Sequence, residues 1–205
     1  MGYMDNESFF KEIYSKHKEK LKNIDFVNDR KLVIAFSSIP GSGKTTISKI
    51  LEEHFNAVRF NGDDVRDIVK ELRRDISSEE GTYLKREYFK WFYENIIEQG
   101  KNKFIILDFS VDRIYEELRN NLKNLEYEVL LVGLYTPLNI LKERIKERNT
   151  DGYVDYFNNL DRWKIENEEF RKKYKSNMFF NTENKSTKDI SKEIIEFIEK
   201  KKSIY

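Results

Sequence analysis

An α/β fold, with a parallel sheet covered by helices on both faces, is the class this sequence predicts, and three observations predict it. Short apolar runs recur at Leu32–Phe36, Ala57–Phe60, Phe104–Leu107, Val129–Leu134 and Met178–Phe180, and nearly every gap between them holds a charged segment of helical period. Unbroken apolar runs suit strands buried on both faces, and parallel neighbours need helical crossovers between them. The chain has 205 residues, enough for one well-buried core, and no Pro- or Ser-rich linker divides it. Between the first apolar run and the first helical segment stands Ser38-Ile-Pro-Gly-Ser-Gly-Lys-Thr-Thr46, a glycine-rich strand–loop–helix junction.

Taken in order, residues 1–28 precede the first strand, and Phe9, Phe10, Ile13, Tyr14, His17 and Leu21 repeat there at helical spacing. This predicts an amphipathic helix added to a domain that spans residues 29–205, with partner binding as an alternative use of its apolar face. After the loop, a helix is expected from Lys44 to Phe55, with Ile47, Ile50, Leu51 and Phe55 on one face. Helices over Asp64–Arg74 and Glu79–Gln99 separate the second strand from the third, and Gly100 is expected to end the longer one in a left-handed conformation. Thr136 and Pro137 form an N-cap and first-turn pair for a helix running through Arg148. The polar stretch that follows predicts a lid over about residues 149–162.

The loop carries the most specific chemistry. Glycines let the backbone bend until successive N–H groups point inward at phosphate oxygens. Ser38, Pro40, Gly41, Ser42, Gly43, Lys44, Thr45 and Thr46 form the expected nucleotide cradle. Lys44 supplies a mobile charge, expected to be solvated until phosphate arrives, and Thr45 offers a hydroxyl to Mg²⁺. The positive end of the following helix faces the same anion. The usual pattern opens with glycine where this chain has Ser38. A turn that only capped a helix would have no use for Gly-Lys-Thr at this register.

Three further segments converge on the same chemistry. In Asn61-Gly-Asp-Asp-Val-Arg66, directly after the second strand, Asp63 can accept the proton of an attacking hydroxyl and Arg66 can hold the charge of a transferred phosphoryl group. Helix capping is the competing use of Asp63, and Asp64 favours the helix N-terminus through its charge. Asp108 closes the third strand, where a carboxylate binds Mg²⁺ directly or through water, or else caps the next helix. Arg144 and Arg148 stand four apart on one helix face, suited to phosphate and adenine, although Glu143 and Glu147 offer them ordinary ion pairs.

These segments together resemble a family. Pro-Gly-Ser-Gly-Lys-Thr, Gly-Asp-Asp-Val-Arg, Asp108, and Tyr-Thr-Pro-Leu with Glu-Arg-Ile-Lys-Glu-Arg-Asn are similar to the phosphate-loop kinases that include 5′-hydroxyl polynucleotide kinases, adenylylsulfate kinases and zeta-toxin-type kinases. The resemblance spans roughly Lys31 to Phe197. It implies a three-layer, nucleoside-kinase-like sheet of five parallel strands in the order 2-3-1-4-5, with ATP and Mg²⁺ as cofactors. It also implies phosphate and metal roles for Lys44 and Thr45, and substrate-side catalytic roles for Asp63 and Arg66.

Charge and composition narrow the rest. With 38 basic and 37 acidic side chains the formal charge is +1, so no global positive field gathers nucleic acid or an anionic membrane. A small metabolite or nucleotide is therefore the expected acceptor ahead of a nucleic-acid 5′ end, which a local patch of Arg66, Lys70, Arg73 and Arg74 would still hold. The chain has no cysteine, hence no disulfide or thiolate metal site, and no apolar run reaches the roughly 18 residues of a spanning helix. Met1–Lys20, crowded with charges of both signs, does not read as a signal peptide, and a cytoplasmic enzyme is expected. The expected activity is transfer of the ATP γ-phosphoryl group to a hydroxyl. The alternative is an ATP-dependent switch with water as the only acceptor.

Overall fold

The protein is described by a computed structural model over residues 6–73, 76–147 and 153–202. Five parallel strands, β1 (Asn28–Ser38), β2 (Val58–Asn61), β3 (Asn102–Ser110), β4 (Glu128–Tyr135) and β5 (Met178–Asn181), lie in the order β2-β3-β1-β4-β5. Among the described residues eight α-helices surround them: α1 (Asn6–His17), α2 (Lys44–Phe55), α3 (Gly62–Leu72), α4 (Ser78–Phe92), α5 (Tyr115–Asn124), α6 (Leu138–Glu147), α7 (Tyr153–Lys173) and α8 (Thr187–Lys202).

Alternation along β1 sends successive side chains to opposite faces of the sheet, so one strand serves two cores. Leu32, Ile34 and Phe36 join Ile47 and Leu51 of α2 and Ile190 and Ile194 of α8. Val33 and Ala35 face the other way, toward Phe9 and Ile13 of α1, Val65 and Ile68 of α3, and Tyr88 and Phe92 of α4. The apolar stripe of α1 is thus spent inside its own domain. His17 is buried there with its Nδ1 and the Tyr88 hydroxyl hydrogen-bonded at 3.0 Å, and burial pushes the imidazole down to about 4.

Several expected boundaries shift for physical reasons. The long helix over 79–99 is an α-helix to Phe92 and then a π-turn over Tyr93–Ile97, closed by Glu98 N–H to the Tyr93 carbonyl at 3.0 Å. Gly100 follows it, but among the described residues the left-handed glycines are Gly41 and Gly43. Gly100 is needed for space instead, since a Cβ there would come within 2.6 Å of the Ile96 carbonyl oxygen. The helix expected after Pro137 begins at Leu138, with the Leu141 N–H bonded to the Pro137 carbonyl. Thr136 makes a different bond, hydroxyl to hydroxyl with Thr182 at 2.6 Å. Of the expected lid, residues 149–152 lie outside the described residues, and residues 153–162 form the first half of α7.

Candidate active site

Parallel register gathers the site. Asn61 at the end of β2 pairs with Asp108 of β3, Phe36 with Ser110, and Ser38 with Leu134 of β4. The carboxyl ends of the strands therefore finish together, and the segments leaving them share one crevice. From β1 the chain enters the loop with Gly41 at φ 92° and Gly43 at φ 91°, a region that L side chains avoid. Room is short as well. A Cβ on Gly43 would lie 2.8 Å from Thr187, and one on Gly41 would lie 3.2 Å from Leu141 of α6. Helix α2 opens at Lys44, so its free N–H groups face the loop as an anion site.

Lys44 is not solvated as the sequence suggested. Its Nζ pairs with Asp108 Oδ1 at 2.9 Å, and only 18% of the side chain is exposed. The reason is Asp108, a fully buried carboxylate that must be neutralised. Thr45 Oγ1 donates to the same oxygen at 3.0 Å, and Arg59 Nη1 holds the other at 2.8 Å. The two oxygen donors, Thr45 and Asp108, fit a hard divalent cation at the loop's end.

Arg59 was missed in the sequence reading. It links Asp108 to Glu52 of α2, whose Oε2 accepts from Nε at 2.9 Å, so one guanidinium joins strand, loop helix and site. Burial opposes the Arg59 charge, and the two carboxylates more than compensate, leaving its pKa above the usual arginine value. An arginine inside the short apolar run ending at Phe60 was the available signal, since such a side chain must find acids nearby.

The two candidate aspartates separate clearly. Asp64 accepts from Asn61 Nδ2 at 2.9 Å and pairs with Lys20 at 3.5 Å, which ties α3 to the segment after α1. Asp63 caps with its backbone, donating N–H to Asn61 Oδ1 at 3.1 Å. Its carboxylate is exposed and pairs with Arg66 at 3.2 Å. Arg144 is differently employed, donating to the Thr182 hydroxyl at 3.1 Å and its carbonyl at 2.9 Å, which fastens α6 to the end of β5. Arg148 and Arg74 lie outside the described residues. The basic patch is divided, because Arg73 lies over the Phe9 ring at 4.3 Å and pairs with Glu80.

Beside the loop opens a cleft of about 230 Å³. Ser38 and Pro40 form its loop side, Lys85 and Phe89 of α4 one wall, Phe109 and Asp112 the β3 end, and Trp163 and Glu166 of α7 the far side. Asp112 accepts from Asn167 Nδ2 at 2.7 Å, and burial raises its pKa against the Asn167, Ser37 and Ser110 groups that favour the charged form. Apart from Ser38 and Pro40, sequence reading did not single out these cleft residues. They come from three separated segments.

A family model described as AAA domain matches residues 34–171. Solved structures with the same fold include the PezAT chromosomal toxin–antitoxin system of Streptococcus pneumoniae, with TM-score 0.60 and 18% identity over 90% of this chain and 80% of that one. The APS kinase of Mycobacterium tuberculosis, solved with AMPPNP and APS, gives 0.57 and 13% over 84% and 99%. Shikimate kinase from Bacteroides thetaiotaomicron gives 0.55 and 15% over 83% and 98%. No curated protein matches the chain. Among the described residues no helix is long and apolar enough to cross a membrane.

Proposed function

The chain belongs to the AAA domain family and has the fold of phosphate-loop kinases, and from that premise we propose that it transfers the γ-phosphoryl group of ATP to a hydroxyl of a small acceptor. One observation carries this reading beyond nucleotide binding: the cleft beside the loop, lined by charged and aromatic side chains, gives a second substrate a place next to the phosphates. A switch with water as its acceptor has no need of such a cleft.

The loop amides and the α2 N-terminus hold the phosphate oxygens, and Lys44 exchanges Asp108 for phosphate when nucleotide enters. Thr45 and Asp108 would hold Mg²⁺, which when bound neutralises charge on the outer phosphates. Asp63 orients the acceptor hydroxyl and Arg66 steadies the equatorial phosphoryl oxygens. As the acceptor oxygen bonds to the γ-phosphorus, the bond from that phosphorus to the bridging oxygen breaks. ADP leaves with the bonding pair, and the hydroxyl proton passes to the Asp63 carboxylate. Arg144 and Arg148 remain candidates for charge neutralisation, Arg144 only after it releases Thr182.

The test is transfer from γ-labelled ATP to a panel of nucleosides, sugar nucleotides, adenylylsulfate, hydroxy acids and 5′-hydroxyl oligonucleotides. Against the acceptor so found, Asp63→Asn is expected to lower transfer by roughly 10²–10⁴-fold with little change in ATP affinity, and Asp64→Asn to do much less. Lys44→Ala is expected to remove turnover in every assay. ATP hydrolysis that ignores the whole panel and survives Asp63→Asn would instead establish the switch.

A further inference from the structure

Lys85 lies in the wall of the acceptor-side cleft, and among the described residues no carboxylate stands within ion-pairing distance of its ammonium group. The Phe109 ring, 5.9 Å away, is its close neighbour. The other cations around it are provided for. Arg113 donates to Glu166 at 2.7 Å, Arg86 is bridged to Glu117, Lys44 is paired with Asp108, and Arg66 with Asp63. Burial disfavours the Lys85 charge; Asp63 supports it, while Arg66, Lys44 and Arg113 oppose it, and its pKa falls below the usual lysine value. An ammonium that is partly buried, crowded by cations and, among the described residues, paired with no carboxylate marks a place where an anion from outside would be gained.

That anion is not the ATP triphosphate. The loop amides and Lys44 already serve it, and the cleft touches the loop only at Ser38 and Pro40. The rest of the cleft is bipolar. Phe109 and Trp163 offer aromatic surface, and Asp112, held by Asn167, offers an acceptor for a ligand hydroxyl or N–H.

We propose that Lys85 receives an anionic group carried by the acceptor itself, so that the substrate class is a small hydroxyl compound with its own phosphate, sulfate or carboxylate and an apolar or planar body resting on Phe109 and Trp163. This rests on the kinase reading above. The transfer step is unchanged: the acceptor oxygen gains the phosphoryl group, ADP leaves, the hydroxyl proton goes to Asp63, and Lys85 keeps its proton throughout.

Two measurements test it. Inorganic phosphate is titrated calorimetrically into protein saturated with AMPPNP and Mg²⁺, so that the loop is filled. Wild type is expected to bind it, Lys85→Met at least about tenfold more weakly, and Lys85→Arg within a few-fold of wild type. No binding to wild type, or equal binding in Lys85→Met, overturns the proposal. In the second measurement, matched acceptors differ only in charge: a nucleoside against its 3′-monophosphate, and a hydroxy acid against its methyl ester. The anionic member is expected to have kcat/KM at least about tenfold higher, with the preference lost in Lys85→Met through KM. Equal rates within every pair, or transfer confined to a 5′-hydroxyl oligonucleotide, overturn the proposal and leave the kinase reading standing. Transfer to no member of any pair sinks the kinase reading itself, while the phosphate titration still decides whether Lys85 holds an anion.

Discussion

A buried carboxylate organises the carboxyl end of the sheet. Asp108 takes its two oxygens out of water and holds Lys44, Thr45 and Arg59 around them, so the loop lysine has a partner before any phosphate arrives. Arg59 is the hardest member to replace, because among the described residues it alone also pairs with Glu52, whose side chain is 4% exposed. Arg59→Met leaves two buried carboxylates short of a cation and is expected to cost about 3–5 kcal/mol, read as a lowered midpoint in urea unfolding. Adding Glu52→Gln removes one of the stranded charges and is expected to recover part of that loss. A double variant no more stable than Arg59→Met alone would show that Glu52 is not held through its charge.

At the scale of elements, α1 behaves as part of the core. It places His17 among Phe60, Tyr88 and Phe92, with the ring centroid 5.2 Å from that of Phe60. Burial disfavours its protonated form, Asp64 favours that form and Lys20 adds to the opposition, so that the pKa is held near 4, below its ordinary value of 6.5. Between those two values the unfolded chain binds a proton that the folded one excludes, so this contribution is complete above about pH 6.5 and is lost as the pH falls toward 4. The loss is on the order of 3 kcal/mol. His17→Phe is expected to flatten the stability profile across that window in urea unfolding at pH 7, 5.5 and 4.5. Parallel decline of wild type and variant would assign the pH sensitivity to other groups.

For the whole molecule, the two cores on either side of β1 depend differently on the N-terminal segment. The face carrying α2 and α8 closes without it. The face carrying α3 and α4 includes Phe9, Phe10 and Ile13, all buried. Each such side chain contributes about 1.5–3 kcal/mol on burial, and together they rival the 5–15 kcal/mol total of a typical domain. Deleting residues 1–20 is therefore expected to abolish cooperative unfolding, with near-UV circular dichroism of the aromatic cluster lost. A truncated chain with an unchanged urea midpoint would make the helix peripheral.

By itself the sequence determined what depends on local pattern. Apolar runs of strand length and charged helical segments specify a parallel α/β sheet, because buried strands and their crossovers each leave a periodic signature. Pro40, Gly41, Gly43, Lys44 and Thr45 specify the phosphate loop, because its geometry is made by consecutive residues. Asp63, in the first turn of α3 just after β2, and Asp108, two residues before the end of β3, are expected near the loop because parallel strands present their carboxyl ends to one crevice. Tertiary structure decided what depends on residues far apart in the chain. Arg59 meets Asp108 across 49 positions and Arg144 turns to Thr182 across 38, pairings that no local spacing encodes. The partners that separate Asp63 from Asp64 come from the fold, because Lys20 reaches Asp64 from the segment after α1 while Asp63 pairs with Arg66 on its own helix. Lys85, on a helix without a motif, acquired its meaning from the cations and aromatic rings the fold assembled around it, since the cost of an uncompensated charge is set by its surroundings.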